Sequence, residues 1–233
     1  MITLSLIVAS AIFTLPHAVD SAESNGCPDV RPIEGLDLAE WIRASWYIAE
    51  QQINGYQSEE DLYCVVASYL NQTEEKKKVP LFSGTVISVH NYENKNRTNG
   101  PVDSTDKNIP SGLCARAKNE SRPSELLVAP CFLPNFAAGP YWMIALGEDA
   151  ETGKYTWAVV SGGKPTEKFP DGCTTKETGV NGSGLWIFTR SQIARPGDVE
   201  AAKKALQQLG YTTSRLKTVA QEACKYAGAV IKH

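Results

Sequence analysis

Two runs, Tyr141-Trp142-Met143-Ile144-Ala145-Leu146-Gly147 and Tyr155-Thr156-Trp157-Ala158-Val159-Val160, decide the fold class. Each is short and rich in aromatic and β-branched residues, and turn residues separate them, as in neighbouring strands. Working outward, the same pattern holds from residue 45 to residue 190. It gives eight β-prone runs, at 45–52, 62–70, 81–91, 113–118, 125–132, 141–147, 154–161 and 184–190. Asn-, Gly-, Pro- and Ser-rich connections lie between them, the longest at 92–112 and 162–183. These two are too polar for a core, and their length marks them as functional rims or disordered segments. Short strands at this spacing predict an all-β sandwich or barrel. A different unit follows. Pro196-Gly197-Asp198 reads as a helix start with Asp198 as cap, and Val199, Ala202, Leu206 and Leu209 recur at helical spacing until Gly210. A last strand at 212–219 precedes a tail containing Cys224. Without repeats or linkers, residues 23–233 read as one domain.

The chain has 233 residues, with 42% hydrophobic, 9% aromatic and 21% charged residues, enough apolar content for a core and too little charge for disorder. A net charge of −3 gives no basic footprint, which argues against nucleic-acid binding. Lys76-Lys77-Lys78 sits after Glu74-Glu75 in a predicted turn and reads as a solvated tip. Ile2 to Leu15 are almost wholly apolar and lead into small residues from Ala18 to Ala22, the pattern of a signal peptide cleaved near Ser21 or Ala22. That stretch of about 14 residues is shorter than the roughly 20 that span a bilayer, and no later segment is longer. Residues 1–22 are therefore read as a leader of a secreted, extracellular protein.

Six cysteines follow, Cys27, Cys64, Cys114, Cys131, Cys173 and Cys224, with no C-x-x-C pair to suggest a metal or redox site. An even number in a secreted chain predicts three disulfides. Glycosylation sequons begin at Asn71, Asn96, Asn119 and Asn181, and all fall in or beside predicted connections, where a glycan can be accommodated.

Three segments resemble the signatures of the lipocalin family. Leu36-Asp37-Leu38-Ala39-Glu40-Trp41-Ile42-Arg43-Ala44-Ser45-Trp46-Tyr47-Ile48-Ala49 is similar to the first motif, with Ala44 where glycine is usual. The 141–147 and 155–160 runs resemble the second, with an insertion between Asp149 and Tyr155, and Gly184-Leu185-Trp186-Ile187-Phe188-Thr189-Arg190 resembles the third. The helix and Gly210-Tyr211-Thr212-Thr213-Ser214-Arg215-Leu216 continue as in the apolipoprotein D and bacterial lipocalin branch. The resemblance implies an eight-stranded antiparallel up-and-down β-barrel with a C-terminal α-helix and a ninth strand. It implies that Trp46 plugs the closed base with Arg190 over its face. By the same plan Cys27 pairs with Cys173 and Cys64 with Cys224, while Cys114 and Cys131 face each other across one hairpin.

The resemblance also implies a carrier of a small hydrophobic ligand: a retinoid, sterol, fatty acid, carotenoid or bilin-like molecule, with no cofactor and no metal. Tyr69, Tyr141, Trp186 and Phe188 map to cavity positions, and Met143 and Val66 are grouped with them by strand parity. The loops 53–61, 92–112, 133–140 and 162–183 would rim the mouth. Three alternatives stay open. An enzyme would need a free Cys thiol, since no G-x-S-x-G or H-E-x-x-H occurs. A protein-binding module would act through the rim loops. Haem ligation through His90 would need that residue to face inward, but it shares the more polar strand face with Val86 and Ser88.

Overall fold

The structure, a computed structural model, describes residues 26–233. The expected leader and its cleavage near Ser21 or Ala22 lie outside the described residues. All eight β-prone runs form strands. They are β1 (Trp46–Gln52), β2 (Tyr63–Leu70), β3 (Thr85–Asn94), β5 (Leu113–Ala117), β6 (Glu125–Pro130), β7 (Gly139–Glu148), β8 (Tyr155–Ser161) and β11 (Leu185–Thr189). A short β4 (Val102–Ser104) lies on β3, and a small hairpin, β9 (Glu167–Phe169) and β10 (Gly172–Thr174), stands apart. Each barrel strand pairs antiparallel with the next, and β11 returns to β1 with Phe188 opposite Ile48 and Trp186 opposite Gln51. That last pairing closes the barrel and removes the free edges of the sheet. A ninth strand, β12 (Leu216–Thr218), adds to β1 with Thr218 opposite Glu50.

Two helices cover the barrel. The five-residue α1 (Leu38–Ile42) starts where Asp37 accepts hydrogen bonds from the amides of Ala39 (2.8 Å) and Glu40 (3.2 Å), and it buries Trp41 and Ile42 at the base. After the four-residue α2 (Thr105–Asn108), the long α3 (Pro196–Gln208) lays Ala202 and Leu206 on the outer wall against Ile144, Val159, Leu185 and Ile187. The expected cap of α3 is corrected. The helix starts three residues earlier, with Arg195 in the capping position and Pro196, whose fixed φ suits the first turn, directly after it. Asp198 lies inside that turn and accepts from Arg195 Nε at 2.8 Å.

Three disulfides tie the periphery to the barrel. Cys114–Cys131 spans the β5–β6 hairpin, Cys27–Cys173 fastens the N-terminal segment to β10, and Cys64–Cys224 fastens the C-terminal tail to β2. The tail then lies along the outer face, where Tyr226 packs on Tyr47 (5.3 Å between ring centroids) and Gln221 donates to the carbonyls of Ile48 and Val65. No helix among the described residues is long and apolar enough to cross a membrane.

Candidate functional site

The barrel interior divides into a packed base and a hollow upper half. At the base Trp41 and Trp46 lie with centroids 4.8 Å apart, and Phe188 and Tyr69 pack on the same pair. Arg190 covers the outer side, its Cζ 3.5 Å from the Trp46 ring centroid. The guanidinium donates to the carbonyls of Glu40 (2.7 Å), Trp41 (3.0 Å), Ser45 (3.3 Å) and Ala44, so one side chain holds α1 onto the barrel end. Burial, reinforced by the like charge of Arg43, lowers the Arg190 pKa to about 9, which leaves the cation charged at neutral pH. A desolvated cation over an indole contributes up to about 2 kcal/mol. This end is sealed.

Above the base lies a cavity of about 540 Å³. Its apolar wall comes from alternate residues of several strands, including Val65, Val89, Leu113, Val128, Tyr141, Trp186 and Phe188. Each of the four connections expected to rim the mouth contributes: Tyr56 and Gln57 from the first, Asp103 and Asn108 from the second, Leu133 and Ala137 from the third, Val180 and Ser183 from the fourth. Gly184, between the last of these loops and β11, has φ +98°, and a Cβ there would stand 2.0 Å from the Trp186 ring. Only glycine lets that indole lie flat along the wall.

The six expected ligand residues separate into three groups. Tyr141, Trp186 and Phe188 line the cavity. Tyr69 and Met143 are fully buried in the core cluster beneath it, and the Tyr69 hydroxyl meets that of Tyr141 at 2.5 Å. Burial raises the pKa of both tyrosines, so the pair stays protonated under physiological conditions. Val66 forms the third group. Although it borders the cavity, it belongs to an outward cluster with Cys64 and Tyr92 under the C-terminal tail, whereas Val65, Ala67 and Tyr69 share the interior cluster. Val66 and Tyr69 are three positions apart, which puts them on opposite faces of a strand with period 2.

The cavity implied by the resemblance also lacked a polar end that the structure has. β3 runs on to Asn94, so the inward series Ile87, Val89, Asn91 continues to Glu93. Glu93 is opposite Asp103 across the β3–β4 ladder, and Gln57 Nε2 donates to its carboxylate. Burial raises the Glu93 pKa to about 8; Asp61 and Asp103 act the same way, against the opposing pull of Gln57 and Lys95. At Asp103 burial acts upward too, but hydrogen bonds from Lys95 and Asn108 hold its carboxyl below the usual range. Asp61, Glu93 and Asp103 bring carboxylate oxygens within 4.8 Å of one another, and Lys95 Nζ lies 2.8 Å from Asp103 and 3.5 Å from Asp61. Lys95 thus already supplies a cation to the one such carboxylate cluster among the described residues.

The alternative chemistries can be located as well. All six cysteines are in disulfides, which leaves no thiol nucleophile. His90 faces outward, with Nδ1 2.9 Å from Asp106 and Nε2 2.7 Å from Glu75, on the opposite strand face from the cavity. The cavity lining holds neither histidine nor cysteine. The four sequon asparagines lie in connections between strands; Asn96, Asn119 and Asn181 are exposed and Asn71 is half-buried.

Comparison with solved structures places this architecture. Apocrustacyanin C2 matches with a TM-score of 0.50 and 15% identity over 82% of this chain and 84% of its own. Lobster apocrustacyanin A1 matches with a TM-score of 0.50 and 15% identity over 83% of this chain and 84% of its own. The fold is that of the lipocalins. At this identity the likeness is one of fold alone. No protein-family model and no curated relative matches the sequence.

Proposed function

We propose that this protein is a secreted lipocalin carrier that holds one small hydrophobic molecule inside its barrel. The observation that carries this reading is the unfilled upper half of the barrel: about 540 Å³, open at one end and walled by Tyr141, Trp186 and Phe188. Large side chains fill the base but not this hollow, which favours the cavity over the rim loops as the working surface. Burying an apolar guest yields roughly 25 cal/mol per Å², and a wall already formed loses little on ordering. Secretion is supported by the three disulfides, the sequons in strand connections and the apolar N-terminal stretch. Membership of the apolipoprotein D branch rests on the resemblance of the helix and of the segment from Gly210 to Leu216. Titration of tryptophan fluorescence with retinol, a sterol, a fatty acid, a carotenoid and a bilin tests the reading. Saturable quenching of Trp186 by at least one of them supports it; no response to any member refutes it.

A further inference from the structure

The cavity is asymmetric in charge. Among the described residues, Glu93 and Asp103 are the only charged ones in its lining, and both are acids. Behind them Asp61 is 6% exposed, with Oδ1 lacking any hydrogen bond, and Lys95 is the sole cation within the cluster. Three carboxylates therefore share one ammonium at the same end of the pocket. A ligand bearing a carboxylate would bring a like charge to Asp103, and to Glu93 once that group is ionised near pH 8, with no arginine, lysine or histidine in the lining to receive it. A wholly apolar ligand would desolvate both acids without replacing their water.

We propose that the cavity takes an amphipathic cation, a protonated amine whose apolar body lies against Trp186 and Phe188 and whose ammonium is held by Glu93 and Asp103. This assignment rests on the carrier reading above and names the ligand class for the same site. The ammonium donates to the two carboxylates, while Gln57, whose side-chain oxygen accepts from Gln51 Nε2 at 3.2 Å, keeps its own amide on Glu93. The groups facing Glu93 set the pH response: Asp61 from the turn before β2, Asp103 from β4, Lys95 after β3 and Tyr56 from the first rim loop. In the empty barrel burial keeps much of Glu93 protonated at neutral pH. The ammonium favours the ionised form, so binding releases that proton to solvent and strengthens as pH rises, while an alkyl amine stays charged to about pH 10.

Titration of tryptophan fluorescence with decylamine, decanol and decanoate, which share one apolar body, tests the assignment. Decylamine is expected to bind at least about tenfold more tightly than decanoate near pH 8, the factor given by one charge-assisted hydrogen bond. Its affinity is expected to rise between about pH 6 and pH 8 as Glu93 ionises. Glu93→Gln and Asp103→Asn should each reduce the preference for amine over acid by about threefold or more. Decanoate binding as tightly as decylamine, or a preference unchanged in both variants, overturns the assignment. If all three bind alike, the cation assignment falls and the carrier reading stands. If none binds and the hydrophobic panel also fails, both fall.

Discussion

Replacing Arg190 with methionine removes the bolt across the closed end while keeping an apolar side chain of comparable length. Four carbonyls lose a donor, but those of Glu40 and Trp41 keep one each, from Arg43 N and Trp46 Nε1. The loss therefore concentrates at Ala44 and Ser45. Two poorly satisfied carbonyls cost about 1 kcal/mol each, and the cation over Trp46 adds about 1–2 kcal/mol. Against this, methionine avoids the desolvation of a guanidinium whose Nε has no partner. The net expectation is a loss of about 2–3 kcal/mol, equivalent to about 4–12 °C in Tm for a domain of this size. Urea unfolding followed by tryptophan fluorescence, with the disulfides intact, measures it. Arg190→Lys keeps the charge without the planar fork and should recover about half of the loss. A methionine variant within about 0.5 kcal/mol of the parent would refute the reasoning, because the stacked cation would then be contributing nothing beyond its volume.

The Cys64–Cys224 bridge spans 160 residues and Cys114–Cys131 spans 17, so the chain-entropy argument ranks the former as the more stabilising. The double variant Cys64→Ser/Cys224→Ser should lose about 5 kcal/mol and expose the tail to proteolysis after Lys225, whereas Cys114→Ser/Cys131→Ser should lose about 3 kcal/mol and keep the tail protected. Urea midpoints and limited trypsin digestion separate the two. For Glu93 the sign follows from proton binding. Its folded pKa, about 8, stands above that of the unfolded carboxyl, so the native state holds more protons and stability falls as pH rises from the carboxylate range to about 8. Glu93→Gln should remove that slope and raise stability near pH 8 by on the order of 2 kcal/mol once solvent screening is allowed for, read from urea midpoints at about pH 5 and pH 8. A variant with the parent's pH slope would contradict the burial argument.

The barrel was legible in the sequence because alternation and turn residues are local signals. Each of the eight runs became a strand, and Gly210 ends α3 at φ +78° as a helix-terminating glycine should. The discrepancies have local causes. Leu81 was read as the start of a strand, but it is 99% exposed at φ +57° in a loop, and β3 begins at Thr85. The run was also ended too early, at Asn91, because Tyr-Glu-Asn reads as polar; following the period two residues further would have put Glu93 on the inner face. α1 escaped notice because five residues are too few for a helical period, although Trp41 is wholly buried. The last strand, expected over 212–219, narrows to Leu216–Thr218, since the backbone of Thr212 donates instead to the Cys173 carbonyl on the small hairpin within the 162–183 connection. How far down the barrel the hollow extends was not legible either. Tyr69 and Met143 face inward like Tyr141, but whether an inward residue touches ligand or floor depends on the closing tryptophans, a long-range property.

Filling the hollow shows whether it is the binding site. Val128 lines the cavity from the middle of β6 and is only half-buried, so its side chain borders open space. Val128→Trp would occupy that space without displacing the packed base around Trp41 and Trp46. The account predicts at least about a tenfold loss of affinity for whichever ligand the parent binds, with a Tm within a few degrees of the parent. Undiminished affinity in a folded Val128→Trp variant would show that the ligand binds elsewhere and would contradict the account.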